Sequence, residues 1–142
     1  MIDRQARDSA ANALRDFMKA SISNREYERR YPRSKGDPAV WSIYSNIWFF
    51  YSDSSEHVLS GKYSLTQDGL AFMERCLLFL QSDLDFQWPN TKVHIWYPVL
   101  RLIGLGGIVN RRIAKQMSFG DKEVWPFLRK ADYDMMRVKG ES

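Results

Sequence analysis

Residues 37–52 read DPAVWSIYSNIWFFYS, and they set the architecture expected of the whole chain. Asp37 followed by Pro38 has the form of a helix N-cap with proline at the first helical position, where a fixed φ and a missing N–H cost nothing. Val40, Ile43, Tyr44, Ile47, Trp48 and Tyr51 then recur at helical spacing as a broad apolar stripe. Trp41 and Phe50 flank the stripe, while Phe49 projects almost opposite it, among Ser42, Ser45 and Asn46. A helix apolar nearly all round is expected at the centre of a fold, touched on more than one side.

The flanking sequence supplies helices to pack against it. A first helix is expected over 3–20, with Ile2, Ala6, Ala10, Ala13, Leu14 and Phe17 on one face, the alanines permitting close approach. Arg4, Arg7, Asp8, Arg15 and Asp16 fall mostly elsewhere on that helix. Ser23-Asn24-Arg25-Glu26 has the form of a capping box, so a short helix should follow and stop at Pro32. Beyond the central stretch, Ser52 to Ser55 signal a turn, and 56–63 reads as a short helix or an irregular segment closed by Gly61. Thr66 is the next N-cap, with Leu65 and Leu70 placed as a hydrophobic staple and Leu70, Met73, Cys76, Leu77 and Leu80 facing inward.

From there the pattern weakens. Phe86, Trp88, Val93 and Ile95 alternate with polar neighbours, so a small hairpin over 85–97 competes with an irregular connection. A segment over 98–103, a glycine break at 104–107 and a helix over 108–117 should follow. The last stretch offers two short helical turns, around Trp125-Pro126 and Ala131-Asp132, and a frayed end. The expected fold is thus mainly α, a single domain over 1–142 of about five to seven unequal helices around 37–52.

The composition is ordinary for a folded domain except in its aromatic share, 14 % with five Trp, which implies either large packing surfaces or a recognition surface. One cysteine, Cys76, excludes a disulfide framework and a cysteine-rich zinc site, and suits a reducing compartment. No secretory leader pattern opens the chain and no run reaches the roughly 18 apolar residues that span a bilayer, so a soluble, cytoplasmic protein is expected. The net charge of +4 hides an asymmetry. Residues 1–36 hold nine Lys/Arg against five Asp/Glu, 37–90 hold two against seven, and 91–142 hold ten against five. Basic ends and an acidic middle favour docking of the segments on one another.

No constellation announces chemistry. His57 and His94 lack a ligand partner at helical spacing, so no metal is expected. Cys76 sits on an apolar helix face, where a thiol is inert. Asp83 and Asp85, with Trp88 and His94 nearby, are the only acid pair worth weighing, and no base or oxyanion donor set accompanies them. GLGG at 104–107 matches neither a Walker loop nor G-x-G-x-x-G. Arg25, Arg29, Arg30, Arg33 and Lys35 interleave with Tyr27 and Tyr31, and Arg111, Arg112 and Lys115 form a second cluster; both suit phosphate contacts with base stacking, although Glu26 and Glu28 dilute the first. Phe49, Trp88, Trp96 and Trp125 exceed what one small core needs and can instead form an apolar patch rimmed by arginines.

Three stretches, FFYSDSSEHVLSGKYSLT, ERCLLFLQSDLDFQWP and VWPFLRKADYD, together resemble a group of small single-domain bacterial proteins without an assigned activity. The likeness covers about 40–134 and rests on aromatic and acidic landmarks, not on a catalytic motif. In general style the chain is also similar to bacterial immunity proteins, small cytoplasmic antagonists of toxins. That resemblance implies a non-enzymatic protein, without metal or cofactor, that neutralises a toxin by direct binding. A sequence pI near 9.3 argues against mimicry of nucleic acid as the means. The partner-binding candidates are Phe49, Trp88, Trp96, Trp125, Arg29, Arg30, Arg111 and Arg112. The alternative expectation is a nucleic-acid-binding module using 25–35.

Overall fold

A computed structural model describes residues 1–88 and 120–141, and within them the fold is mainly α, with no strand. The helices are α1 (Arg4–Met18), α2 (Asn24–Arg30), α3 (Pro38–Ile47), α4 (Gln67–Leu80) and α5 (Lys130–Glu141), with 3-10 turns at Trp48–Phe50, Gly61–Tyr63 and Lys122–Val124. Residues 85–88 are irregular. The remainder of the expected hairpin, the segment over 98–103, the 104–107 break and the helix over 108–117 lie outside the described residues.

The starts of the helices follow the side chains that the sequence offers. Asp3 accepts from the Ala6 N–H at 3.0 Å, Ser23 from Glu26 at 3.2 Å, Asp37 from Ala39 at 3.1 Å and Thr66 from Gly69 at 3.1 Å. Each satisfies a first-turn donor that the helix itself cannot. The capping box at Ser23 closes on one side only, because Glu26 turns to Arg29 and the Ser23 hydroxyl donates to Glu56 at 2.7 Å.

The first helix ends two residues earlier than its pattern suggests. Ala20 takes φ +58°, its N–H donates to the Phe17 carbonyl, and the Ser21 N–H donates to that of Asp16. This is a Schellman stop, with alanine at the position that usually holds glycine. At the other end of the chain the two short turns expected are one 3-10 turn and a helix of twelve residues that runs to Glu141. The run LRKADYDMMRVK has few apolar positions, and Tyr133 and Met136 of α5 are half-buried against the core.

Helix α1 packs against α2, α3 and α4, and its small residues explain why. Ala6, Ala10, Ala11 and Ala13 let the neighbouring backbones approach, while Leu14 and Phe17 fill the space between them. Helix α3 inserts Ala39, Val40, Ile43 and Ile47 into the same core, and α4 contributes Met73, Cys76, Phe79 and Leu80. Leu70 departs from the expected inward face of α4: it is exposed, and Phe79 does the packing. Two aromatic groups complete the interior. Tyr27 stacks on Phe17 with ring centroids 4.6 Å apart, and Tyr31, Tyr44 and Tyr51 surround it. On the other side Phe50 stacks on Phe72 and Phe72 on Trp125, with Phe86, Phe79 and Phe127 continuing the chain of rings.

One charged residue overturns its sequence assignment. Arg7 was expected on the polar side of α1, yet it is fully buried, and Asp37 is 1 % exposed. The guanidinium meets Asp37 through Nε at 2.6 Å and Nη2 at 3.2 Å, a two-pronged pairing. Its Nη1 donates to the carbonyls of Ser82 at 3.0 Å and Leu84 at 2.8 Å, and its face lies over the Phe79 ring. Arg4, one turn earlier, donates to the carbonyls of Leu80 and Ser82. Arg4 therefore closes the carboxyl end of α4 at Leu80, and both arginines hold the segment that leaves it through the Ser82 and Leu84 carbonyls. Asp37 joins the start of α3 to this knot.

Candidate functional site

The helix that the sequence placed at the centre is buried along one edge only. Its other side carries exposed aromatic residues: Trp41 is 59 % exposed, Trp48 45 % and, on the turn after the helix, Phe49 72 %, whereas Phe50 turns back to stack on Phe72 of α4. The geometry follows from spacing. Trp41 and Trp48 stand seven residues apart, two helical turns, and so project from the same side of α3. Tyr44 lies between them, stacked on Trp41 at 5.7 Å. After Ile47 the helix tightens into the 3-10 turn, which swings Phe49 beside Trp48 at 6.1 Å. Tyr51 then turns inward, its hydroxyl donating to Glu28 at 3.1 Å. The polar residues of α3 are occupied locally: Ser45 donates to the Trp41 carbonyl and Asn46 to that of Ser42.

Beside this ridge is a cleft of about 370 Å³ lined by Pro32, Arg33, Ser34, Val40 and Trp41. Tyr31 supports its floor by donating its hydroxyl to the Val40 carbonyl at 2.7 Å. Burial raises the Tyr44 phenol above its usual pKa and Glu28 adds to this, while the nearby Arg33 charge acts in the opposite direction.

The expected partner-binding residues divide. Phe49 is on the ridge. Trp88 is interior, its indole N–H donating to the carbonyls of Pro126 and Phe127 at 3.1 and 3.3 Å. Trp125 is half-buried between Phe72 and Phe86, and so belongs to the packing. Arg29 is exposed but paired with Glu26, and Arg30 holds Asp16 at 2.9 Å. Trp96, Arg111 and Arg112 lie outside the described residues. Trp48 and Trp41, the better surface residues, were read as in and beside the core stripe, because apolar spacing reports which residues share a face and not whether a neighbour covers it.

The competing chemistries fare as follows. Asp83 is exposed and pairs with Arg4 at 3.1 Å, Asp85 is exposed, and Trp88 is turned away into the interior, so these groups do not converge on a pocket. His94 lies outside the described residues. His57 is buried, with Nδ1 at 2.8 Å from the Ser55 carbonyl and its ring stacked on Tyr63 at 3.8 Å. Asn24 fixes this loop by donating to the Ser52 and Ser55 carbonyls and accepting from the His57 N–H. Burial pushes the Cys76 thiol far above its ordinary range. Among the described residues no three His, Cys, Asp or Glu side chains gather as metal ligands would, and no helix is long and apolar enough to cross a membrane. No family model, no curated protein and no solved structure matches the chain.

Proposed function

We propose that the protein is a non-enzymatic binding module that recognises another protein through the ridge of Trp41, Trp48 and Phe49. Its most specific form is an immunity-type protein that neutralises a toxin by covering a surface the toxin needs. The observation that carries the reading is the exposure of three large aromatic residues on one short helix and the turn after it. Burying such a side chain completely contributes roughly 1.5–3 kcal/mol, so covering the exposed parts of three on one surface can carry an interface. Tryptophan is also the residue whose truncation most often disables an interface. The competing reading, a nucleic-acid-binding module on the 25–35 segment, draws only on Arg33 and Lys35, since Arg25, Arg29 and Arg30 already face carboxylates of this chain.

The immunity version is tested by expressing bacterial toxin domains one at a time with the protein present. Rescue of growth by the wild type, lost in the Trp48→Ala/Phe49→Ala variant, is the expected result. Rescue that survives loss of both rings would refute a role for the ridge, and rescue of no domain would remove the immunity version.

A further inference from the structure

The basic residues near the ridge fall into two groups. Arg25, Arg29 and Arg30 are neutralised by Glu28, Glu26 and Asp16. Arg33 and Lys35 are both exposed and meet no carboxylate among the described residues. The acids that surround them are committed elsewhere. Asp3 accepts from the Ser34 hydroxyl at 2.8 Å and caps α1, while Asp37 is spent on Arg7 and on the first turn of α3. Arg33, unpaired with any carboxylate among the described residues, thus lines the cleft it forms with Pro32, Ser34, Val40 and Trp41.

We propose that this cleft receives an acidic side chain of the partner protein, with an apolar neighbour of that residue lying on the Trp41 ring. The inference rests on the ridge being a protein-binding surface and adds the chemistry of what it binds. A guanidinium offers two parallel N–H donors that match a carboxylate. Once the docked partner covers it, such a charge pair contributes more than an exposed one at an interface rim. A nucleic-acid backbone is the poorer occupant. Its phosphates need a row of free cations, and three of the five basic residues here are already paired. The amino end of α3 offers no anion site either, because Asp37 itself fills it and Pro38 lacks an N–H.

The probe is a capped octapeptide alternating leucine with aspartate, compared with its asparagine counterpart and with a deoxythymidine decamer. Binding is followed by the indole N–H resonance of Trp41 and the Nε–H resonance of Arg33. The aspartate peptide should shift both resonances. Its affinity should fall about tenfold on replacing aspartate by asparagine, and by a similar factor in Arg33→Gln. Arg33 is exposed, so the variant should keep the wild-type thermal midpoint, and Arg33→Lys should restore part of the affinity. Equal binding of the asparagine peptide, or of the aspartate peptide to Arg33→Gln, would overturn the proposal. So would tighter, Arg33-dependent binding of the oligonucleotide, which would move the site to nucleic acid. If a protein partner depends on Trp48 and Phe49 while the aspartate peptide leaves Trp41 unmoved, the ridge stands and the acidic occupant is refuted.

Discussion

Removing the Asp37 carboxylate leaves a charged guanidinium in the interior with only the Ser82 and Leu84 carbonyls and the Phe79 ring around it. Breaking a buried pair from one side costs about 3–5 kcal/mol, because the remaining charge has lost both water and its partner. Asp37 also caps α3 through the Ala39 N–H and accepts from the Asp3 N–H at 3.1 Å, and loss of a cap adds about 1 kcal/mol. Asp37→Ala should therefore cost about 4–6 kcal/mol, a large part of the roughly 5–15 kcal/mol that holds a domain folded. Asp37→Asn separates the two contributions, since asparagine caps as well as aspartate but carries no charge; it should cost about 3 kcal/mol. With a urea slope of about 2 kcal/mol/M, the midpoint of the Asn variant should fall by about 1.5 M. Acid dependence gives a second reading of the same pair. Burial raises the Asp37 pKa, but the Arg7 hydrogen bond and charge, with the N–H groups of Asp3 and Ala39, bring it below the ordinary carboxylate value. A folded-state pKa below the unfolded one means the contribution is complete above about pH 4 and is lost as pH falls through the folded value. The Asn variant should show a shallower loss of stability in that acid window. If Asp37→Asn and Asp37→Ala both unfold within about 1 kcal/mol of the wild type, the pair does not hold the helices as described.

Other consequences are smaller. Tyr27 is fully buried and its hydroxyl has no hydrogen-bond partner among the described residues, so Tyr27→Phe should be neutral or stabilise by about 1 kcal/mol in urea titration; a loss of that size would show that the hydroxyl is satisfied. Ala20 pays for a left-handed backbone at the stop of α1, and Ala20→Gly should raise stability by about 0.5–1 kcal/mol, the strain relief exceeding the entropy that glycine adds to the unfolded chain. Cys76 is fully buried with its thiol pushed far up, so it should react with a thiol reagent at neutral pH only at the rate of unfolding, and fast labelling of the native protein would contradict its placement.

The comparison of sequence with structure turns on what kind of signal each residue gave. Caps were legible because they are local: Asp37-Pro38, Ser23 and Thr66 announce helix starts within four residues of chain. The alanines of α1 were legible as a close-packing face for the same reason. Arg7 was not, because its burial depends on an acid thirty positions away and on carbonyls just past the far end of α4. A charged residue on a helix reads as exposed until its partners are known. The ridge failed in the opposite direction. Trp48 fits the apolar stripe and Trp41 flanks it, but α1 and α4 cover only the edge that carries Val40, Ile43 and Ile47. Trp88 was counted among the aromatics in excess of one small core, while its indole finds two carbonyls across the chain.

Affinity capture from host lysate, run side by side with the wild type, Trp48→Ala/Phe49→Ala and Arg29→Ala/Arg30→Ala, bears most directly on the proposed role of the ridge. Samples are treated with nuclease and washed at high salt. The expected result is a single protein held by the wild type and by the arginine variant and absent from the aromatic variant. The same protein held equally by the aromatic variant, or bound material that disappears with nuclease, would contradict it.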